Sequence, residues 1–115
     1  MRIAVSAAGQ TCDSQLHPQF GRCPWLLFVD TDTRACEPVA NICAELEVGA
    51  GIGVSQVVAD HGVDAVLSGD VGPKAYEVLT GAGITIYRCP PGITVDQAID
   101  RLQAGALQPL QIRRF

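Results

Sequence analysis

The stretch "VDAVLSGDVGPKAYEVLTGAGITIYRC", residues 63–89, decides the fold. The apolar run "VDAVLSG" stops at a glycine turn and reads as a buried strand. "PKAYEVLTGAG" places Pro73 at the first helical position, where a missing N–H costs nothing, and closes on glycine, so it reads as a helix. "ITIYRC" returns as a strand of β-branched and aromatic residues. Strand, helix and strand in so short a span predict a parallel pair joined by a right-handed crossover.

Upstream, "VSQVVADHG" spaces Val54, Val57 and Val58 helically after Gly49, Gly51 and Gly53, with Gly62 as its C-cap. Before it, "WLLFVDTDTRACEPVAN" gives a strand over about 25–30, a polar turn over 31–34 and a return strand to about Val39. "RIAVSA" at 2–7 is a short buried strand. Downstream, "VDQAIDRLQAG" is a helix with an apolar stripe of Val95, Ala98, Ile99 and Leu102, and the last ten residues read as a loose tail. The expected order is βββαβαβα in one α/β domain spanning 1–115, with a mixed five-stranded sheet and helices on its faces.

Composition agrees. Of 115 residues, 48% are hydrophobic and 17% charged, and 12 Gly and 7 Pro break the apolar runs into turns. A chain of this length folds around one core without a structural metal or disulfide staples. The net charge of −4 excludes a basic nucleic-acid surface. No apolar run reaches the roughly 18–20 residues of a membrane span. "IAV" gives way to Ser6 and Gly9 without the apolar core of a secretory signal, so a cytoplasmic protein with five free thiols is expected.

Tracing strand directions brings four loops to one edge of the sheet: 7–24, 41–52, 69–73 and 88–94. Open α/β sheets bind ligands outside the carboxyl ends of parallel strands, which is this edge. It gathers Cys12, Cys23, Cys43, Cys89, His17, Arg22 and Lys74, whereas Cys36 and His61 fall toward the opposite edge. Two helix N-termini, after "GAGIG" and "GDVG", offer unpaired N–H groups to an anion. The same glycines serve equally as tight turns and caps.

The loop "GQTCDSQLHPQFGRC", residues 9–23, combines an imidazole (His17), a stiff Pro18, an apolar Phe20, a flexible Gly21 and a fixed cation (Arg22). That mixture suits an anion with an apolar rim. Thiols at Cys12 and Cys23 are soft ligands for copper(I), iron–sulfur species or zinc, or else small buried hydrophobes. His17 is a ligand or a group that orders the loop. Hydrolases are disfavoured, because GxSxG and HExxH are absent. Nucleotide motifs GxxxxGK[ST] and GxGxxG after the first strand are absent too. A ribonuclease H-like nuclease would need carboxylates that "RIAVSA" lacks.

The opening "MRIAVSAAGQTCDSQLHPQFGRC", the stretch "GAGIGVSQVVADHGVDAVLSGDVGPKAYEVLTGAGITIY" and the closing "TVDQAIDRL" together resemble the dinitrogenase iron–molybdenum cofactor biosynthesis family over most of the chain. The resemblance implies a ribonuclease H-like fold. It also implies a non-enzymatic role in carrying or assembling a metal–sulfur cluster, delivered to a receiving or ATPase-type partner protein. In one branch, matched by "GQTxDS…PxFGR" and "GxVGPKA", it implies a molybdenum–copper sulfide anion held without a cysteine framework. The family's loop positions fall on Gly9, Asp13, Pro18, Phe20, Gly21 and Arg22, and its helix-capping ones on Gly51, Gly69 and Gly72. Cys12 and Cys23 depart from that pattern. With His17 they form a candidate metal-ligand set, which would favour an iron–sulfur or copper species. Two other classes stay open: a regulatory or interaction module without cargo, and a thiol-redox protein using two of Cys12, Cys23, Cys43 and Cys89.

Overall fold

The computed structural model describes residues 1–45 and 49–111. Its elements run β1 (Arg2–Ala7), β2 (Trp25–Asp30), β3 (Cys36–Ala40), α1 (Ala50–Asp60), β4 (Ala65–Ser68), α2 (Pro73–Gly81), β5 (Thr85–Arg88) and α3 (Val95–Gln103), in the expected order. The mixed sheet has strand order β3-β2-β1-β4-β5. β1 pairs antiparallel with β2 and parallel with β4, and β4 pairs parallel with β5. The hairpin partner β3 is an edge strand, where Pro38 costs no ladder hydrogen bond.

Alternation along the central strands divides the core into two layers. Ile3, Val5, Leu27, Val29 and Leu67 face α3, whose Val95, Ala98 and Ile99 are buried against them. Ala4, Leu26, Phe28, Val66 and Ile86 face the other way, toward Val54 and Val58 of α1 and Leu79 of α2. Each large aliphatic side chain so buried contributes about 1.5–3 kcal/mol. His61, at the C-terminal end of α1, stacks on Phe28 with ring centroids 3.9 Å apart and its Nδ1 lies 2.8 Å from the Val57 carbonyl oxygen, so its packing is structural.

Two expectations change. The helix at Val54 begins earlier, at Ala50, and takes Gly51 and Gly53 into its first turns. Packing explains Gly53, where a β-carbon would stand 2.6 Å from the Cys43 sulfur, whereas one at Gly51 would make ordinary contact with Ala75 at 3.5 Å. The final segment, expected as a loose tail, is docked as far as Leu110. Leu107 is buried, Pro109 bridges Tyr87, and the Leu110 N–H donates to the Ile86 carbonyl at 2.6 Å. This cover satisfies part of the open edge of β5. Residues 112–115 of that segment, and 46–48 of the loop expected to reach the site, lie outside the described residues. No helix among the described residues is long and apolar enough to cross a membrane.

Candidate functional site at the carboxyl edge

The loop after β1 is sewn down along its length. Ala8 donates to the Gln15 carbonyl, Leu16 to Ile93, Val95 to Ser14 and Asp96 to Cys12. At its centre His17 donates its N–H to Ser6, while the Ser6 hydroxyl donates back to the His17 carbonyl at 2.8 Å and meets the buried Ser68 hydroxyl at 2.7 Å. The imidazole Nδ1 accepts from the Gln19 N–H at 3.1 Å, which orders the turn. Phe20 donates to the Asp70 carbonyl and Asp70 to Pro18, so the loop runs beside the exit of β4. Phe20 itself is buried among α1 and α2 core residues.

The glycines of the edge are used mostly by the protein itself. Gly21 rests on the backbone of Gly51, where a β-carbon would sit 3.0 Å from the Gly51 nitrogen, and Gly69 rests on Pro18. Gly9 is packed against the Ser14 side chain. Arg22 reaches over α1's approach and donates to the Ala44 carbonyl at 2.9 Å. Asn41, which carries no sequence signal beyond its type, holds the end of the loop by donating to the Cys23 carbonyl at 2.8 Å.

The cysteines divide between the two faces of the sheet. Cys23 is fully buried on the α1/α2 side, its thiol donating to the Phe20 carbonyl at 3.3 Å, and burial pushes that thiol up to about 11. Cys12 packs on the α3 side with Cys36. Burial first, then a hydrogen bond with the Cys36 thiol and the charge of Asp96, pushes the Cys12 thiol up to about 12. The structure therefore does not bring Cys12 and Cys23 together. It brings Cys12 to Cys36, which the strand trace had placed at the far edge. A pleat count from Val29, the register partner of Cys36, puts Cys36 on the α3 face, but nothing in the sequence locates Cys12 there. Cys43 packs beside Gly53 on the α1/α2 side. Among the described residues no group of three or more His, Cys, Asp or Glu side chains is placed to hold a metal ion.

Helix N-termini differ in a way that bears on anions. α3 is closed by its own chemistry: Thr94 and Gln97 form a reciprocal capping box, and Asp96 adds a carboxylate. α1 and α2 begin at Gly49 and Gly72, with no side-chain cap and no acidic residue in the first turn. Their first turns are neighbours, since a β-carbon added at Gly51 would lie 3.5 Å from the Ala75 methyl, which brings their positive ends to one region of the edge. Lys74, exposed in α2's first turn, adds a positive charge there.

The same edge also holds a groove of about 610 Å³ that sequence reasoning missed. Its floor is Gly69, Asp70, Arg88 and Cys89 at the exits of β4 and β5, and its outer wall is residues 106–111. Arg88 is paired with Asp70 at 3.0 Å, and Arg101 of α3 also lines the groove. The Cys89 thiol is buried beside it and is pushed up to about 11 by that burial, against the lowering charge of Arg101.

Comparisons with known proteins agree with this architecture. The chain is similar to the apo orange protein from Desulfovibrio gigas, with 40% identity, TM-score 0.89 and 96% of each chain covered. A NifB-like protein from Thermotoga matches with 32% identity and TM-score 0.83, over 98% of this chain and 97% of that one. An uncharacterized protein of Methanocaldococcus jannaschii is 28% identical over 102 residues, 86% of each chain. The family model described as dinitrogenase iron–molybdenum cofactor matches residues 1–105. This chain belongs to that family of small proteins linked to metal cofactors.

Proposed function

We propose that this protein binds, carries or helps assemble an anionic metal–sulfur cluster at the carboxyl edge of its sheet, without catalysing a reaction. The observation that carries the reading is the contrast among its helices. α3 caps itself with Thr94, Gln97 and Asp96, whereas α1 and α2 present uncapped, carboxylate-free N-termini together. Such ends make this edge of the sheet favourable to an anion through the field of their helix dipoles.

A molybdenum–copper sulfide anion is the cargo of first choice. Cys12 and Cys23 face opposite sides of the sheet and their thiols are held protonated at neutral pH, which argues against a joint thiolate framework. Binding by charge, amides and apolar contact needs none. An iron–sulfur cargo is the alternative. The setting is cytoplasmic, with handover to a receiving or ATPase-type partner, and the sheet order supports the ribonuclease H-like description of the fold.

Anoxic reconstitution tests this directly, run in parallel with copper plus tetrathiomolybdate and with iron plus sulfide, then desalting, elemental analysis and a visible spectrum. A stoichiometric cluster retained from one mixture supports the reading and fixes the cargo class. Retention no greater than that of an unrelated acidic protein in both mixtures ends it.

A thiol-redox role is the second reading, favoured by one observation, the nearness of Cys12 to Cys36 on the α3 side of the sheet. Its weakness is that burial keeps Cys12 protonated, and the thiolate is the reactive form.

A further inference from the structure

We infer that the cargo sits in the groove beside β5, with Arg101 as its pairing cation and residues 106–111 as its outer wall; this inference rests on the function proposed above. The loop that the sequence favoured is filled by its own contacts, Gly21 on Gly51 and Gly69 on Pro18. The groove lies at the same edge and holds about 610 Å³, within the roughly 300–1,000 Å³ usual for small-ligand sites.

Its chemistry selects the ligand class. Leu16, Pro18, Pro90, Pro91, Leu107 and Pro109 make the walls apolar, and prolines bring no backbone N–H to the surface. The positive charge comes from arginine. Arg88 is half neutralised by its bond to Asp70, while Arg101 forms no ion pair among the described residues, so the three groups leave the groove a net positive charge. A guanidinium is weakly hydrated and tolerates apolar surroundings. A sulfide-rimmed anion, large and polarisable, has the same preference, whereas a compact hydrated anion such as phosphate would lose its water for too few donors. Cys89 is protonated at neutral pH, so it contributes shape and polarisability rather than a thiolate bond. A smaller cavity of about 290 Å³ at the opposite edge is lined by Arg2, Asp30 and Glu37, a set with net negative charge that opposes an anion.

The family match ends at residue 105, and the wall begins at Ala106. Its attachment to β5 is light, a bridge from Pro109 to Tyr87 and one hydrogen bond from Leu110 to Ile86.

The test uses the full chain reconstituted anoxically with copper plus tetrathiomolybdate, reading molybdenum and copper per protein after desalting, with melting temperatures as a check on folding. Arg101→Gln is expected to weaken retention about tenfold, the cost of one charge-assisted hydrogen bond. Gln108→Glu, which places a carboxylate in the wall, lowers retention as well, and Arg101→Lys, which keeps the charge on a more strongly hydrated group, retains more than Arg101→Gln but less than the unaltered protein. Arg2→Gln removes the same charge at the opposite edge and leaves retention unchanged, which separates the groove from net charge. Full retention in Arg101→Gln with loss in Arg22→Ala overturns the groove and leaves the cargo reading standing. No retention by the unaltered protein from this mixture or from iron plus sulfide overturns both.

Discussion

Gly69 and Pro18 are in backbone contact: a β-carbon at position 69 would lie 2.8 Å from the Pro18 Cα. The adjacent hydrogen bonds, Asp70 to Pro18 and Phe20 to Asp70, fix the two segments, so neither can retreat. This contact sets the height of the loop over the sheet edge, and with it one wall of the groove, since both residues line it.

Gly69→Ala should therefore destabilise the fold by about 1–3 kcal/mol, the usual cost of overpacking. Gly72→Ala, where nothing lies within 4 Å of the added carbon, should cost much less. Urea titration of the two variants checks the difference. Equal midpoints would mean that the loop yields and that the contact sets nothing.

Ser6 and Ser68 form a buried hydroxyl pair that ties β1 to β4 and, through the His17 carbonyl, to the loop. Ser6→Ala strands both the Ser68 hydroxyl and the His17 carbonyl in a dry interior, at about 1–3 kcal/mol. Adding Ser68→Ala removes one of the stranded groups, so the double variant should cost less than the sum of the single ones. Additive costs in a double-mutant cycle would show that the two hydroxyls do not act as a unit.

The thiols set an alkaline limit. Cys23 and Cys89 are raised from 9.0 to about 11, and Cys12 to about 12, each chiefly by burial. A raised folded value favours the protonated form in the native state, so this contribution is intact below pH 9 and is lost as pH rises through the folded values. Stability measured by denaturant titration should fall between about pH 9 and about 12. A Cys23→Ala variant, after allowance for its own stability, should show a shallower fall, and an unchanged slope would remove Cys23 from the account.

Much of the architecture is legible in the sequence because local signals agree with the tertiary outcome. Pro73, the glycines at 81 and 83, and the stripe of Val95, Ala98, Ile99 and Leu102 mark two helices in place. The start of α1 is not legible, since Gly51 and Gly53 read as turn residues until Cys43, Ala75 and Gly21 are seen against them. Leu107 and Leu110 are too few to form a periodic pattern, so their docking on β5 and the groove it makes emerge only in three dimensions. At the edge, His17, Phe20 and Arg22 are legible as a loop with chemistry. The facing of its cysteines is not, because irregular backbone has no period from which to count.

Cys12 and Cys36 are the thiols that tertiary structure brings near each other, packed against the α3-side core, with Cys23 buried on the other side. Mild oxidation should therefore join Cys12 to Cys36 first: two thiols give up two protons and two electrons to oxidised glutathione, releasing two molecules of reduced glutathione. The reaction should be slow at neutral pH, because the Cys12 thiol is pushed up to about 12, and should accelerate as pH rises. Peptide mapping by mass spectrometry after non-reducing digestion identifies the pair. In Cys36→Ser the same treatment should yield no intramolecular disulfide at Cys12. A first-formed link from Cys12 to Cys23 would require their two faces of the sheet to meet, and would contradict the division of the cysteines on which the choice of a charge-held cargo over a thiolate-ligated one depends.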